Sequence, residues 1–255
     1  MEHSSAEVRS GMKDLLKREK AVLAAWEGGS AATGFLDEYS DLDLLIVTCG
    51  EDTEPIFKLL DEYLEDNHGI QKKFRLPEPT WHGMSQSFYL LRDFPNYFYC
   101  DICVVPASNP HKLTEPDRHG HAVVWFDKAG IYKPVGTPME ERKKMVGRVF
   151  ASATAFDWLR VLELKKALAR GKWISSHFNY MIYINRNLVP LLNIKYRPAK
   201  ADFGLSYVDR EYPPEIAAEI SELLKVCDVE EIREKSARAI NWFNELKEEL
   251  APLIN

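Results

Sequence analysis

Three aspartates carry the chemistry that this sequence could do. Asp41-Leu42-Asp43 opens an apolar run, Leu44-Leu45-Ile46-Val47. On a strand, residues two apart share a face, so the two carboxylates project together while Leu42 turns into a core. Asp101 sits in the middle of a second apolar run, Tyr97 to Val105, where an unpartnered carboxylate is expensive. If the two strands are neighbours, the three acids share one patch. At an effective dielectric near 20, two like charges about 4 Å apart cost on the order of 4 kcal/mol, so such a patch makes sense mainly with cations in it. An all-oxygen donor set that leaves room for phosphate oxygens suits Mg²⁺. Upstream, Gly28-Gly29-Ser30 interrupts the apolar segment Ala21 to Glu27. Gly29 lets backbone approach a ligand, and the Ser30 hydroxyl and nearby amides can donate to phosphate.

Taken singly, each feature has a plain structural meaning: a D-x-D caps turns and Gly-Gly-Ser turns a chain. Their order and spacing are more specific. Gly29-Ser30, a gap of ten residues, Asp41-x-Asp43 with its apolar run, and a later apolar strand around Asp101 resemble the signature of the nucleotidyltransferase superfamily with the DNA polymerase β-like fold. Downstream, Arg186-Asn187-x-x-Pro190-Leu191-Leu192 and Tyr196-Arg197-Pro198-x-Lys200 are similar to the helical segment after the catalytic domain in aminoglycoside and lincosamide nucleotidyltransferases. The resemblance implies transfer of a nucleoside monophosphate from ATP or another nucleoside triphosphate to an acceptor hydroxyl. Asp41, Asp43 and Asp101 would be the catalytic and metal-binding set for two Mg²⁺ ions, with Asp101 serving as ligand or as base. Gly29 and Ser30 would hold the triphosphate. The arginine that many members carry just after Gly-Ser is missing from Ala31-Ala32-Thr33-Gly34-Phe35. The triphosphate charge would then be met by the metals and by basic residues of the second half, with Arg186, Lys195, Arg197 and Lys200 as candidates.

The elements that must position these residues are set by periodicity. Ala6 to about Arg18 predicts an amphipathic helix, Ala21–Glu27 and Leu42–Thr48 strands, and Pro55–Leu64 a helix ended by Gly69. Three further strands are expected at Ile70–Leu76, Ser87–Arg92 and Tyr97–Val105, the last two as a hairpin. From Pro138 the pattern turns helical. One long helix is expected over Met139–Ala169, others over Ser175–Leu192, Pro213–Val226 and Val229–Leu250, with Lys195 to Tyr212 irregular. The expected architecture is α+β: a catalytic domain over residues 1–132, built on a mixed sheet flanked by helices, then a helical bundle over 133–255 that binds the acceptor.

Composition bounds the rest. Hydrophobic residues at 45% and charged residues at 28% are ordinary for a chain of 255 residues that packs a core. A net charge of −6 argues against a protein that grips nucleic-acid backbones. No apolar run approaches the roughly 20 residues of a membrane span, and the first residues lack a secretory pattern, so a cytoplasmic protein with reduced thiols is expected. Cys100-x-x-Cys103 falls in a strand, which makes a redox or zinc site a poor reading. His119 and His121 suit an exposed loop, and His82 and His111 stand alone. Trp158, Trp173, Phe178, Tyr180, Tyr183 and Trp242 fall at helical spacing and are expected in the core. A small-molecule acceptor of aminoglycoside or lincosamide type is the leading reading; an acceptor on protein or RNA, or a silent nucleotide-binding module, stands behind it. Retention of three repelling acids weighs against silence.

Overall fold

A computed structural model describes residues 4–95 and 97–254. The chain divides into two compact units, Met1–Gly136 and Thr137–Asn255.

The first unit is a six-stranded mixed sheet with helices. Helix α1 (Ser5–Arg18) starts at a capping box in which Ser4 and Glu7 satisfy each other's end of the first turn. Strand β1 (Val22–Glu27) runs into the short helix α2 (Gly29–Thr33), so Gly28-Gly29-Ser30 is the entry to a helical turn rather than a simple loop. Then come β2 (Leu42–Thr48), α3 (Glu54–His68), β3 (Ile70–Arg75), β4 (Ser85–Leu91) and β5 (Cys100–Pro106). The four-residue helix α4 (Pro116–His119) precedes the edge strand β6 (Val123–Asp127), and periodicity predicts neither. The strand order is β3-β4-β5-β2-β1-β6. Of these neighbours, β2 and β5 run parallel and the others antiparallel.

Alternation along β2 and β5 builds two different faces. Leu42, Leu44 and Ile46 with Ile102 and Val104 pack against Val8, Met12 and Leu16 of α1 and Ile56, Phe57, Leu60 and Leu64 of α3. Leu45, Val47 and Val105 point the other way and join Ala24, Trp26 and Met84 in a smaller cluster flanked by Ile131 and Tyr132. Asp43 and Asp101 belong by period to this second face. Cys100 and Cys103, three apart on one strand, lie on opposite faces, so they do not act as a vicinal pair; burial pushes the Cys100 thiol up to about 12.

The second unit is helical. The expected single helix over Met139–Ala169 is two, α5 (Met139–Thr154) and α6 (Asp157–Ala169), broken at Ala155-Phe156. Helix α7 (Trp173–Tyr183) continues through a wider π turn, Ile184–Leu188, into α8 (Val189–Tyr196). Pro190 explains the turn: without an N–H it cannot bond the carbonyl of Arg186, which instead accepts from Arg160 Nη1 at 3.4 Å. A 3₁₀ turn (Pro198–Lys200) and α9 (Val208–Glu211) interrupt the segment expected to be irregular, and α10 (Pro214–Leu224) and α11 (Val229–Ile254) complete the unit. Tyr180 and Tyr183 are fully buried, and Trp242 packs against the same core. Trp158, Trp173 and Phe178 do not join them; they lie on the surface, Trp158 64% exposed.

Candidate active site

The acid patch forms at one end of the second face of the first sheet. Asp43 and Asp101 are direct cross-strand partners in the parallel β2–β5 ladder. Asp41 stands just ahead of β2, and its neighbour Leu42 donates its N–H to the Tyr99 carbonyl at 3.0 Å, which seats the start of β2 beside β5. Burial is the first cause that pushes the Asp43 carboxyl up to about 7, followed by the charges of Asp41 and Asp101. Asp101 is also raised, first by burial; a hydrogen bond from Gln86 opposes the shift, and Asp41 adds to it. The Tyr99 hydroxyl is raised by burial and by its hydrogen bond to Asp41.

Gly29 is the position at this end of the sheet that needs a glycine. Its φ is +51°, and a Cβ placed on it would lie 1.6 Å from Asp43 Oδ2. The Asp43 carboxylate thus rests against the bare Cα of Gly29, and any side chain there would displace it. The Gly28 N–H donates to the Asp43 carbonyl at 2.8 Å, tying the β1–α2 junction to β2. Ser30, in the first turn of α2, is half-buried beside this junction. Thr33 Oγ1 donates back to the Gly29 carbonyl at 3.0 Å, and Gly34 closes α2 in the left-handed region.

Residues that spacing and type alone do not single out hold the patch. Arg9 of α1 pairs with the buried Glu27 at 2.8 Å and donates from Nη2 to the Asp41 carbonyl at 3.0 Å. It therefore fastens the end of β1 and the start of β2 to one helix. On the other flank, Gln86 Nε2 donates to Asp101 Oδ1 at 2.6 Å, and His82 Nε2 lies 2.8 Å from Gln86 Oε1. The sequence signal for Gln86 is its place in the alternation of β4, where Ser87, Tyr89 and Leu91 are buried. Phe88 stands in register with Asp101, and Phe74 with Phe88, so one row reads Asp43, Asp101, Phe88, Phe74 across four strands. The Phe74 and Phe88 rings stack at 6.4 Å, and Tyr99 contacts Phe88 at 6.3 Å.

The donor chemistry fits Mg²⁺. The acids offer only hard oxygen donors, and burial first, then the charge of neighbouring acids, raises Asp43 and Asp101. Among the described residues no group of three or more His, Cys, Asp or Glu side chains is placed to hold a metal ion. Asp101 Oδ1 is engaged by Gln86, and Mg²⁺ ordinarily takes only one or two carboxylates and completes its shell with water and phosphate. An open, carboxylate-poor shell is what a triphosphate-binding metal requires.

The basic residues expected to meet the triphosphate lie in the second unit, in three settings. Arg186 is exposed. Lys195 pairs with Glu249 at 2.6 Å. Lys200 pairs with Glu211, which also receives Arg197 at 2.8 Å. Arg197 is buried and further bonded to Asn193 and to the carbonyls of Gly204 and Ser206, so it serves as the internal tie of the loop after α8.

The sheet thus sets the paired Asp43 and Asp101 beside the glycine junction that leads into α2. The family model described as a nucleotidyltransferase domain matches residues 7–81, which include Gly29, Ser30, Asp41 and Asp43 and stop short of Asp101. The chain therefore carries a nucleotidyltransferase domain over these residues. No curated protein matches it in sequence. Among solved structures, it is similar to an aminoglycoside 6-adenyltransferase from Bacillus subtilis, at 13% identity and a TM-score of 0.38, over 98% of this chain and 91% of that one. No helix among the described residues is long and apolar enough to cross a membrane.

Proposed function

We propose that this enzyme moves a nucleoside monophosphate, AMP from ATP, to a hydroxyl of a small-molecule acceptor of aminoglycoside or lincosamide type, with release of pyrophosphate. The observation that carries the reading is the register pairing of Asp43 with Asp101 at the edge of a glycine cradle, with the charge of Asp41 felt by both. Asp41 and Asp43 would hold two Mg²⁺ ions, shared with Asp101. Bound there, the metals supply charge neutralisation at the transferring phosphorus and its leaving group. Gly29 and Ser30 would take the triphosphate at the β1–α2 junction. Asp101 would accept the acceptor's hydroxyl proton or ligate metal through Oδ2, since Gln86 holds Oδ1. Phe88 and Phe74 continue the row beyond Asp101 and would give the acceptor a ring-stacking ledge. The reading is that of a cytoplasmic enzyme that binds neither membrane nor nucleic acid.

The decisive experiment measures pyrophosphate release from each of the four ribonucleoside triphosphates with Mg²⁺ and a panel of hydroxyl-bearing acceptors. Acceptor-dependent release with one triphosphate preferred is expected. Absence of release with every combination would refute the reading.

A further inference from the structure

We infer that His82 and Gln86 are positioning residues for Asp101, a two-residue chain that fixes which oxygen of that carboxylate faces the reaction. The inference rests on the proposed function only in assigning Asp101 to nucleotidyl transfer; the chain itself is a matter of geometry.

It begins at the backbone. The Met84 N–H donates to His82 Nδ1 at 3.1 Å, so Nδ1 is the unprotonated nitrogen of a neutral imidazole. The ring hydrogen then sits on Nε2, which donates to Gln86 Oε1 at 2.8 Å. With its oxygen engaged, the Gln86 amide has one orientation left: its NH₂ points at Asp101 and donates to Oδ1 at 2.6 Å. A flipped amide would set a carbonyl oxygen against a carboxylate and an NH₂ against an N–H, two repulsive contacts in place of two bonds. Thr80 braces the turn by donating from Oγ1 to the Met84 carbonyl at 2.6 Å. The sheet does the rest. Gln86 is the cross-strand partner of Cys103, two residues along β5 from Asp101 and therefore on the same face.

The consequence is directional. Asp101 is gripped at one oxygen by a neutral donor, so its second oxygen is presented to metal or to an acceptor hydroxyl in a fixed rotamer. A cation instead of Gln86 would compete with Mg²⁺ for the carboxylate; an acceptor group would repel it. A neutral amide whose orientation is locked from behind avoids both. Supporting residues of this kind, behind the groups that touch metal or substrate, typically cost about 10–100-fold in activity or metal affinity when removed.

The test uses the whole chain in two arms. In protein labelled with ¹⁵N-histidine, a long-range ¹H–¹⁵N spectrum near neutral pH reads the His82 tautomer, with its signals identified by their loss in His82→Gln. A neutral ring protonated on Nε2 is expected; protonation on Nδ1 overturns the inference. This arm needs no turnover, so it stands even if wild type transfers nothing to any acceptor, the result that would sink the functional reading alone. In the second arm, single-turnover transfer is compared for Gln86→Leu, His82→Phe and His82→Gln. The first two are expected to slow transfer about 10–100-fold while triphosphate Kd and Tm stay near wild type. His82→Gln, which keeps a donor at the Nε2 position, is expected to recover part of the rate. An unchanged rate in Gln86→Leu, or a loss that tracks a fall in Tm, would show a role in folding only and overturn the positioning role.

Discussion

Replacing Asp43 by asparagine separates the site's electrostatics from its packing. Asparagine keeps the volume against Gly29 and removes one charge from the patch. Asp43 titrates at about 7 in the folded chain against an ordinary value of 3.8. A folded-state pKa above the unfolded value means that the native state binds the proton more tightly. Stability is therefore greatest below pH 4 and declines as pH rises from there to about 7, where the native carboxyl ionises too. At 1.36 kcal/mol per unit the full gap would be worth about 4 kcal/mol. Asp43 shares its titration with neighbouring acids and is partly reached by water, so about half of that, roughly 2 kcal/mol, is the expected gain of Asp43→Asn at pH 8 in chelator. For a chain of this size that corresponds to a rise in Tm of about 4–8 °C. At pH 4 most of the difference should be gone, because the wild-type carboxyl is then protonated in the native state and close to half protonated in the unfolded one. Thermal melts of both proteins from pH 4 to 8 in chelator test this, alongside nucleotidyl transfer in Mg²⁺, which should fall by at least about 100-fold. A variant less stable than wild type at every pH would mean that Asp43 is a structural cap, and the argument from repulsion would fail.

The same geometry makes four other changes informative. ATP with Mg²⁺ at 100 times its Kd should stabilise the fold by about 2.7 kcal/mol, and ATP with excess chelator far less; equal thermal shifts would count against the site. Gly29→Ala should lose both transfer and stability, about 1–2 kcal/mol from the left-handed backbone alone, because its Cβ would fall 1.6 Å from Asp43 Oδ2; near-wild-type activity would show that the cradle is not needed. Arg9→Ala should cost about 3–5 kcal/mol in urea unfolding by stranding the buried Glu27, and Arg9→Met with Glu27→Leu should recover much of it; a cost confined to activity would contradict the tie. Phe88→Ala should raise the acceptor's KM several-fold with little change in that of ATP, and a parallel change in both would remove Phe88 from the acceptor ledge.

What the sequence made legible was local. Asp41-Leu42-Asp43 announces its shared face by a period of two, and the apolar run of β2 announces a strand covered on both sides. Capping and glycine signals fixed α1 and the end of α3 within a residue or two. What it did not disclose depends on distant partners. No spacing rule says that Asp101 pairs with Asp43, because that parallel register is set by β4 and β5 folding back across the sheet. Strand β6 exposes Val123 and Val124 and is held by β1 alone, so its hydrophobic pattern is weak. The break at Ala155-Phe156 has neither proline nor glycine to mark it. The π turn was within reach of inference, since Pro190 had to leave the Arg186 carbonyl without its helical donor, but the remedy, Arg160, comes from another helix. The same limit explains the surface positions of Trp158 and Phe178: helical spacing gives a face, and only the neighbouring helices decide whether that face is covered. His82 shows the limit most sharply. It stands alone in the sequence because its meaning lies in a backbone amide two residues on and in a glutamine whose own partner arrives from the next strand. Residues that touch substrate can be recognised by type and spacing; those that orient them are recognisable only once the sheet has fixed which donors have acceptors.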